Sequence, residues 1–302
     1  MKPFDIQVNG YFGGDFTNPE ITAEELHTTC IALEEDGVEN ILATVITDSI
    51  DALCHKLSHL VELREQDDLA KKIIAGFHIE GPFINPEVGY VGAHPADCVK
   101  PANVEDSKRL LDATAGLTKL ITLAPEFDQD MATTRFLAEQ GITVSAGHCN
   151  PSLDQLKAGI DAGLSMVTHV GNGCPVTMNR HDNIIQRVLS LSDELWCCFI
   201  PDGAHVDFFA LKNYLQVAGI DRCIMVTDAI AAAKLGPGRY QLSGMEIEVD
   251  QHGVARKPGS PNLAGATITM PQIRENLSQK LDLDEQQIKQ LIDDNPRIAL
   301  GL

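Results

Sequence analysis

Eight short apolar runs, separated by longer amphipathic stretches, constrain the fold of this chain more than any other feature. The runs are rich in Val, Ile and Leu, as expected of parallel strands that are buried on both faces. They cover residues 4–8, 40–46, 73–79, 120–123, 143–146, 166–168, 195–200 and 223–227. Helical spacing of apolar residues marks the stretches between them, at 22–35, 50–63, 103–113, 131–139, 152–162, 183–190 and 206–217. This alternation predicts an α/β fold, a (β/α)8 TIM-type barrel.

The pattern changes after the eighth run. Residues 236–263 are rich in Gly and Pro and contain alternating stretches at 239–242 and 245–249 with a turn at 250–253, which predicts a β-hairpin insertion. Two helices are expected next, at 268–279 and 284–294, with a break at Asn295-Pro296 that closes the second. Because no long linker interrupts the sequence, residues 1–302 are expected to form a single barrel domain.

The charge balance argues against two classes of partner. Lys plus Arg number 23 and Asp plus Glu number 43 in 302 residues, which gives a formal net charge of −20. Such an acidic surface disfavours binding to nucleic acid or to an anionic membrane, although a local cluster of Arg and His can still hold an anionic substrate. The sequence contains no apolar run of about 18 residues, so we expect no membrane-spanning helix.

The eight cysteines are scattered along the chain without a CxxC pair. They predict neither a thiolate zinc site nor a thioredoxin-like motif, and most of them are expected to be buried packing residues. The amino-terminal residues, Met1 to Asp5, carry no apolar signal core. Since unpaired thiols suit a reducing compartment, the expected location is the cytoplasm.

Polar residues that can bind a metal or move a proton occur where barrel enzymes place their active sites, at the carboxyl ends of strands. Glu80 ends the third run, His148 and His169 follow the fifth and sixth, and Asp228 follows the eighth. Any one of them alone would more simply be a hydrogen-bonded structural residue or a helix cap. Together, Glu80, His148 and His169 would supply one oxygen and two nitrogens, the ligand set of an open zinc-type site. Asp228 would then be the general base.

Short motifs occur in a fixed order along nearly the whole chain. They are Asp5-Ile6-Gln7-Val8-Asn9-Gly10, His78-Ile79-Glu80-Gly81-Pro82-Phe83, Gly92-Ala93-His94-Pro95, Leu123-Ala124-Pro125-Glu126, Gly147-His148, Thr168-His169, Asp202-Gly203-Ala204-His205, Val226-Thr227-Asp228-Ala229, Leu263-Ala264-Gly265 and Asn295-Pro296. In this ordered set the chain resembles the N-acetylglucosamine-6-phosphate deacetylases of the amidohydrolase superfamily. The resemblance implies that Glu80, His148 and His169 bind a divalent metal and that Asp228 is the catalytic aspartate.

The same resemblance implies the substrate contacts. His94 is similar to the histidine that contacts the substrate near its acetyl group and helps to stabilise the oxyanion. Leu263 lies in a segment similar to the loop over the sugar and acetyl group. In family members the phosphate-binding arginine tends to come from the neighbouring subunit, which implies a homodimer with Arg180 near its interface. The residues similar to the sugar-phosphate contacts are Asn172, Gly173, Arg180 and His205.

The chain differs from the family pattern at the proposed metal site and beside it. Superfamily members with two metals carry His-x-His at the end of the first strand, where this chain has Gln7-Val8-Asn9. Imidazole coordinates far better than carboxamide, so we expect one divalent ion. Zinc is the expected ion, although this ligand set also accepts iron, manganese or nickel. Cys149 follows His148 where a hydroxyl residue is common in the family, and we expect it to be a packing residue.

Two further differences concern the substrate loop and the flanks of the barrel. The family usually has a bulky residue before Asn172 and Ala-Met after it, whereas this chain has Gly171 before it and Gly173-Cys174 after it. That change leaves the expected pocket wall less filled. Family members also carry a small β-sandwich built from segments on both sides of the barrel, and this sequence has room for little of it. We therefore expect either a naturally compact barrel or a shortened chain.

The resemblance implies hydrolysis of the acetamide of a small amino-sugar phosphate, N-acetylglucosamine 6-phosphate, to glucosamine 6-phosphate and acetate. One rival function is an amidohydrolase that acts on another N-acyl substrate or on a cyclic amide. The other is a barrel that binds sugar phosphates without catalysis. The presence of both the metal ligands and Asp228 argues against the second rival, since a sensor need not retain them.

Overall fold

Eight parallel strands form one sheet, in which each strand pairs with the next along the chain. The computed structural model describes residues 1–259 and 262–302. The strands are β1 (Phe4–Val8), β2 (Asn40–Ile46), β3 (Ile74–Glu80), β4 (Thr118–Leu123), β5 (Thr143–Ala146), β6 (Leu164–Val167), β7 (Trp196–Phe199) and β8 (Cys223–Met225). Their side chains are mostly buried, because helices cover the outer face and neighbouring strands fill the interior. The predicted (β/α)8 barrel is confirmed.

Helices connect the strands on the outside of the barrel. They are α1 (Ala23–Glu35), α2 (Ile50–Gln66), α3 (Asp68–Ile73), α4 (Val104–Ala113), α5 (Ala132–Glu139), α6 (Leu153–Asp161), α7 (Ile184–Leu189) and α8 (Phe208–Ala218). Capping boxes begin two of these helices, Thr22 with Glu25 at α1 and Ser152 with Gln155 at α6. The sequence pattern did not predict α3, which begins where the Asp67 carboxylate accepts hydrogen bonds from two backbone amides.

The seam between β8 and β1 nearly closes the barrel. Val8 and Ala229 form a parallel bridge, and the backbone N–H of Asn9 donates to the carbonyl of Ala229 at 2.7 Å. The buried carboxylate of Asp5 accepts hydrogen bonds from the Thr227 hydroxyl at 2.6 Å and from the Thr227 backbone N–H at 3.2 Å. These contacts fix the segment that carries Asp228 against the first strand.

The Asp5 carboxyl should make stability depend on pH. Burial raises its pKa from the usual 3.8 to about 7, although hydrogen bonds from Thr227 oppose that shift. Between these two values the folded chain keeps a proton that the unfolded chain has lost, so stability falls as the pH rises. The variant Asp5→Asn cannot ionise. We expect its Tm, relative to wild type, to increase between about pH 4.5 and about pH 8, and thermal unfolding across that range would check it. If the plots of Tm against pH for Asp5→Asn and wild type ran parallel, the prediction would be contradicted.

A small antiparallel sheet follows the last barrel strand. It comprises β9 (Gly238–Leu242), β10 (Met245–Val249) and β11 (Ala255–Arg256), in that order. The hairpin turns at Ser243-Gly244, where both residues have positive φ, +48° and +78°, as a tight two-residue turn requires. The predicted insertion therefore contains its hairpin, and also a third strand that the short stretch 255–256 did not signal. Ser260 and Pro261, within that predicted segment, lie outside the described residues.

The carboxyl-terminal helices pack beside the barrel. They are α9 (Met270–Leu281), α10 (Glu285–Lys289) and α11 (Asn295–Ala299), with a π-helical turn at Gln290–Asp294 between the last two. The predicted break at Asn295-Pro296 is wrong, because the helical backbone continues through the π-helical turn into α11, with the Asn295 backbone N–H donating to the carbonyl of Gln290. No helix in the described ranges is long and apolar enough to cross a membrane.

Candidate metal centre and active site

Three potential metal ligands from different strands meet at the carboxyl ends of the barrel strands. Glu80 is the last residue of β3, whereas His148 and His169 lie just beyond β5 and β6. One ligand atom from each residue lies within 4.8 Å of the others. The Nε2 atoms of His169 and His148 lie 2.9 Å and 3.4 Å, respectively, from Oε1 of Glu80. All three side chains are buried, so the structure brings together the ligand set that the sequence predicts.

The chemistry of these donors fits one divalent cation. Burial alone would raise the pKa of Glu80, but the neighbouring imidazoles of His148 and His169 hold that pKa well below its usual value, so the carboxylate stays ionised. The Nδ1 of His148 lies 2.7 Å from the backbone carbonyl of Tyr90. Donation of the Nδ1 proton to that carbonyl leaves the lone pair of Nε2 for a metal. One oxygen and two nitrogens leave room for a water, as in catalytic zinc sites.

Left-handed backbone conformations place three of the key side chains at the mouth of the barrel. The φ angles of His148, His169 and Asp228 are +49°, +31° and +50°. Non-glycine residues rarely adopt this region, and doing so costs on the order of 1–3 kcal/mol each. Each of these residues comes just after a barrel strand, where the chain turns out of the sheet. Such strain commonly marks functional sites, which supports a shared role for the three residues.

Asp228 lies beside the ligand group in a position that suits a base. Burial, together with the negative charge of Glu80, raises its pKa to about 6. A general base works best when its pKa is near the working pH. The carboxamides of Gln7 and Asn9 both donate hydrogen bonds to it. We did not predict this role for Gln7 and Asn9, although they stand at the carboxyl end of β1, where the rule that located the metal ligands also applies.

His94 forms part of the wall above the ligand group. Its ring packs edge-on against the ring of His148, with the centroids 4.3 Å apart. Its Nδ1 lies 2.7 Å from the Thr47 hydroxyl. Burial lowers the pKa of His94 to about 3, so the ring is neutral near pH 7. If the hydroxyl donates to Nδ1, the Nε2–H of this neutral ring is left to donate to a substrate oxygen.

A cavity of about 520 Å³ opens above these groups. Its wall includes Asp228, Asn9 and Arg256 beside most of the residues predicted to contact substrate, namely His94, Asn172, Gly173, His205 and Leu263. Arg180 is exposed on the loop after β6 and is not among the described residues that line this cavity. The cavity falls in the size range of small-molecule sites, and the predicted contacts other than Arg180 meet around it.

The surroundings of Gly173 explain one difference between the substrate loop of this chain and the family pattern. Its φ is +58°, and a Cβ atom added there would lie 2.9 Å from Nδ1 of His148. Any side chain at this position would therefore displace the ring of a predicted metal ligand. The Asn172 backbone N–H and side-chain N–H both donate to the carbonyl of His169, at 2.9 Å and 3.2 Å. The loop is thus held against both histidines of the ligand set.

A buried layer of hydroxyl groups supports the site from below. The Nε2 of His78 lies 2.8 Å from the Thr122 hydroxyl, which in turn lies 2.8 Å from the Thr168 hydroxyl. Ser145 extends this chain, at 2.7 Å from Thr168. His78 is therefore hydrogen-bonded within the barrel, and it is not part of the ligand group among the described residues. Cys149 is also buried and lies outside that group, as a packing residue would.

Similarity to known proteins was found at the level of individual sequences and structures, whereas no family model matches the chain. The chain is 28% identical over 300 residues to the N-acetylglucosamine-6-phosphate deacetylase of Bacillus subtilis (strain 168), covering 99% of this chain and 74% of the relative. It is 31% identical over 278 residues to the protein of the same name from Danio rerio, covering 88% and 66%. The structure of a mutant of the Mycobacterium smegmatis enzyme in complex with N-acetyl-D-glucosamine-6-phosphate has a TM-score of 0.90 at 28% identity, covering 100% of this chain and 77% of that chain.

The barrel and the polar group at its mouth, together with these relatives, identify the class of protein as an amidohydrolase. Both the order of the elements and the placement of the ligand group agree with that class. The chain belongs to the N-acetylglucosamine-6-phosphate deacetylase-like amidohydrolases, hydrolases that act on carbon–nitrogen bonds. This is the family that the ordered sequence motifs resemble.

Proposed function

We propose that this chain hydrolyses the acetamide of N-acetylglucosamine 6-phosphate to acetate and glucosamine 6-phosphate. The observation that carries the proposal is the meeting of Glu80, His148 and His169 within 4.8 Å of one another, with Asp228 on the same cavity wall. The names of the relatives supply the substrate class. A sugar-phosphate sensor would need neither this ligand group nor a buried aspartate whose pKa is raised toward neutrality.

Each residue of the site has its own role in the proposed reaction. A divalent cation held by Glu80, His148 and His169, for which we propose zinc, would lower the pKa of a water and polarise the acetyl carbonyl. Asp228 takes one proton from the attacking water as the water oxygen adds to the acetyl carbon. His94 donates a hydrogen bond to the developing oxyanion. Asp228 then returns the proton to the departing nitrogen as the C–N bond breaks, which releases acetate and the free amine.

The phosphate end of the substrate is assigned to the other side of the cavity. We propose that Asn172, Gly173 and His205 contact the sugar phosphate, with Leu263 over the sugar. The ring of His205 is oriented by Asp202, whose carboxylate lies 2.6 Å from its Nδ1. Remote binding of this kind would fix the amide over the metal ligands.

A second copy of the chain would complete the phosphate site. Val88 and Val176 are 93% and 100% exposed on two loops that meet at the mouth of the cavity. Such apolar exposure suits contact with another protein surface. Arg180, on the same loop as Val176, is exposed and would reach the phosphate of the neighbouring site. We therefore propose a homodimer.

We also propose a cytoplasmic location, because the eight unpaired thiols suit a reducing compartment.

Removal of Arg180 tests the phosphate assignment. The variant Arg180→Ala should raise the KM for N-acetylglucosamine 6-phosphate by about tenfold to a hundredfold, because a charge-assisted hydrogen bond is lost. The KM for unphosphorylated N-acetylglucosamine should hardly change. Acetate release from both sugars, measured with zinc-loaded protein, gives both values.

Arg135→Ala is the matched control, because Arg135 is an exposed arginine on the outer helix α5. It should leave both KM values near those of wild type. An equal effect of Arg180→Ala on both sugars would remove Arg180 from the phosphate site. Absence of acetate release from the phosphorylated sugar by the wild-type protein would overturn the proposed function itself and favour another amide substrate.

A further inference from the structure

Two carboxamides at the end of β1 converge on one oxygen of the proposed base. The Nδ2 of Asn9 donates to Oδ1 of Asp228 at 2.6 Å, and the Nε2 of Gln7 donates to the same oxygen at 3.1 Å. All three side chains are buried. Both of these hydrogen bonds end at Oδ1 of Asp228 and neither ends at Oδ2. The two bonds therefore distinguish the two oxygens of a group that would otherwise be symmetric.

Gln7 also contacts the proposed metal ligand Glu80. Its Nε2 lies 3.3 Å from Oε2 of Glu80, while the other oxygen, Oε1, faces His169 and His148. A carboxamide nitrogen carries two hydrogens, so Gln7 can donate one to each carboxylate. Two buried carboxylates repel each other, and a neutral donor between them offsets that repulsion. Gln7 thus bridges Glu80 and Asp228. It contacts Oε2 of Glu80 and Oδ1 of Asp228, which leaves Oε1 and Oδ2 for the reaction.

The orientation of the Asn9 amide is fixed by the same contact. Its Oδ1 is buried and has no hydrogen-bond partner among the described residues. Reversing the amide would place that oxygen 2.6 Å from Oδ1 of an ionised Asp228, which is repulsive. The backbone N–H groups of Asn9 and Gly10 both donate to the carbonyl of Ala229, at 2.7 Å and 3.1 Å. The end of β1 is therefore tied to the residue that follows Asp228, and the donors and the acceptor share one rigid frame.

We infer that Gln7 and Asn9 are positioning residues that assign separate tasks to the carboxylate oxygens of the site. They hold Oδ1 of Asp228 so that Oδ2 takes the proton from water, and Gln7 holds Oε2 of Glu80 so that Oε1 faces the cation. Neither residue needs to touch the substrate. The inference rests on the proposed deacetylation for its kinetic part, whereas the role of Gln7 toward Glu80 can be tested by metal binding alone.

The experiment compares Asn9→Leu and Gln7→Leu, each in the wild-type and the Asp228→Asn background. We expect each single variant to lower kcat by roughly tenfold to a hundredfold, because a misplaced base loses that much, with KM nearly unchanged. In the Asp228→Asn background, Asn9→Leu should cause no further loss, because its effect acts through Asp228. If Asn9→Leu does not fold, Asn9→Ala replaces it in the same cycle.

Metal affinity separates the two residues without any assay of turnover. Zn²⁺ titrated against a chromophoric chelator should bind Gln7→Leu about tenfold to a hundredfold more weakly than wild type, because an outer contact of a ligand is lost. Asn9→Leu should bind Zn²⁺ as wild type does, since it contacts Asp228 and not Glu80. Asn295→Leu is the matched control: this buried carboxamide donates to the carbonyls of Ile220 and Cys223, at the opposite end of β8. It should lower Tm but leave kcat and Zn²⁺ affinity near wild type.

Two results would overturn the inference. The first is a double variant whose loss in kcat equals the product of the losses caused by Asn9→Leu and Asp228→Asn alone. Such a result would mean that Asn9 acts independently of the base. The second is equal Zn²⁺ affinity of Gln7→Leu and wild type. If the wild-type protein releases no acetate from any amino sugar, the proposed function fails. The contrast in Zn²⁺ affinity between Gln7→Leu and Asn9→Leu still decides the role of Gln7.

Discussion

Replacing Asp228 with Asn is expected to lower kcat by roughly a hundredfold to ten-thousandfold, the range that a positioned general base contributes. Asparagine keeps an oxygen at Oδ1 to accept from Gln7 and Asn9, but its nitrogen cannot take a proton from water. The geometry of the site should therefore survive while the proton transfer does not. Steady-state acetate release from N-acetylglucosamine 6-phosphate measures the loss.

Binding measurements separate this loss from damage to the site. The Asp228→Asn variant should retain one equivalent of metal and bind substrate nearly as wild type does, because Asp228 is not one of the three grouped ligands. Turnover near the wild-type rate would remove Asp228 from the mechanism. Loss of the metal together with activity would instead make Asp228 a ligand, which contradicts the role assigned to it here.

Glu80→Gln is also expected to have a large effect, because it removes the carboxylate of the ligand group. A carboxamide is a much poorer ligand for a divalent cation, and a bound cation supplies several kcal/mol of transition-state stabilisation. We expect the dialysed variant to hold far less than one equivalent of metal and to lose at least about a thousandfold in kcat. Elemental analysis after dialysis, paired with the acetate assay, measures both.

Glu126→Gln provides a matched control, because Glu126 is a largely buried glutamate that accepts a hydrogen bond from Asn85 at 2.9 Å and lies outside the ligand group. It should keep one equivalent of metal after dialysis. If Glu80→Gln also kept its metal and its activity, the cation would have to bind elsewhere. The chemistry proposed for this cavity would then have no centre.

The arrangement of the ligand group could be predicted from sequence because barrel topology is regular. Parallel strands that pair in chain order bring their carboxyl ends to one face, so Glu80, His148 and His169 meet although they are far apart in the sequence. No distance needed to be known for that prediction. The fold class followed from the same regularity, since eight buried runs alternating with amphipathic stretches have few other solutions.

Features that depend on local geometry could not be predicted in this way. The convergence of Gln7 and Asn9 on a single oxygen depends on side-chain rotamers at the seam, which the strand pattern does not encode. The hydrogen bond from His148 to Tyr90 ends on a backbone carbonyl, which any residue type could supply. The short helix α3 and the strand β11 are too brief for a periodic signal. The structure of one chain does not show the proposed contact of Arg180 with phosphate, because that contact would be made in the active site of another copy of the chain.

The positive φ angles of His148, His169 and Asp228 have a consequence for evolution in the laboratory. Glycine tolerates that backbone region without steric cost, so glycine at these positions would relieve strain while it deleted the reactive groups. A library of variants selected for heat resistance alone would therefore favour glycine at these three positions, and the selected variants would lose their activity. Heat resistance and turnover therefore have to be selected together if a hardier variant is to remain a working catalyst.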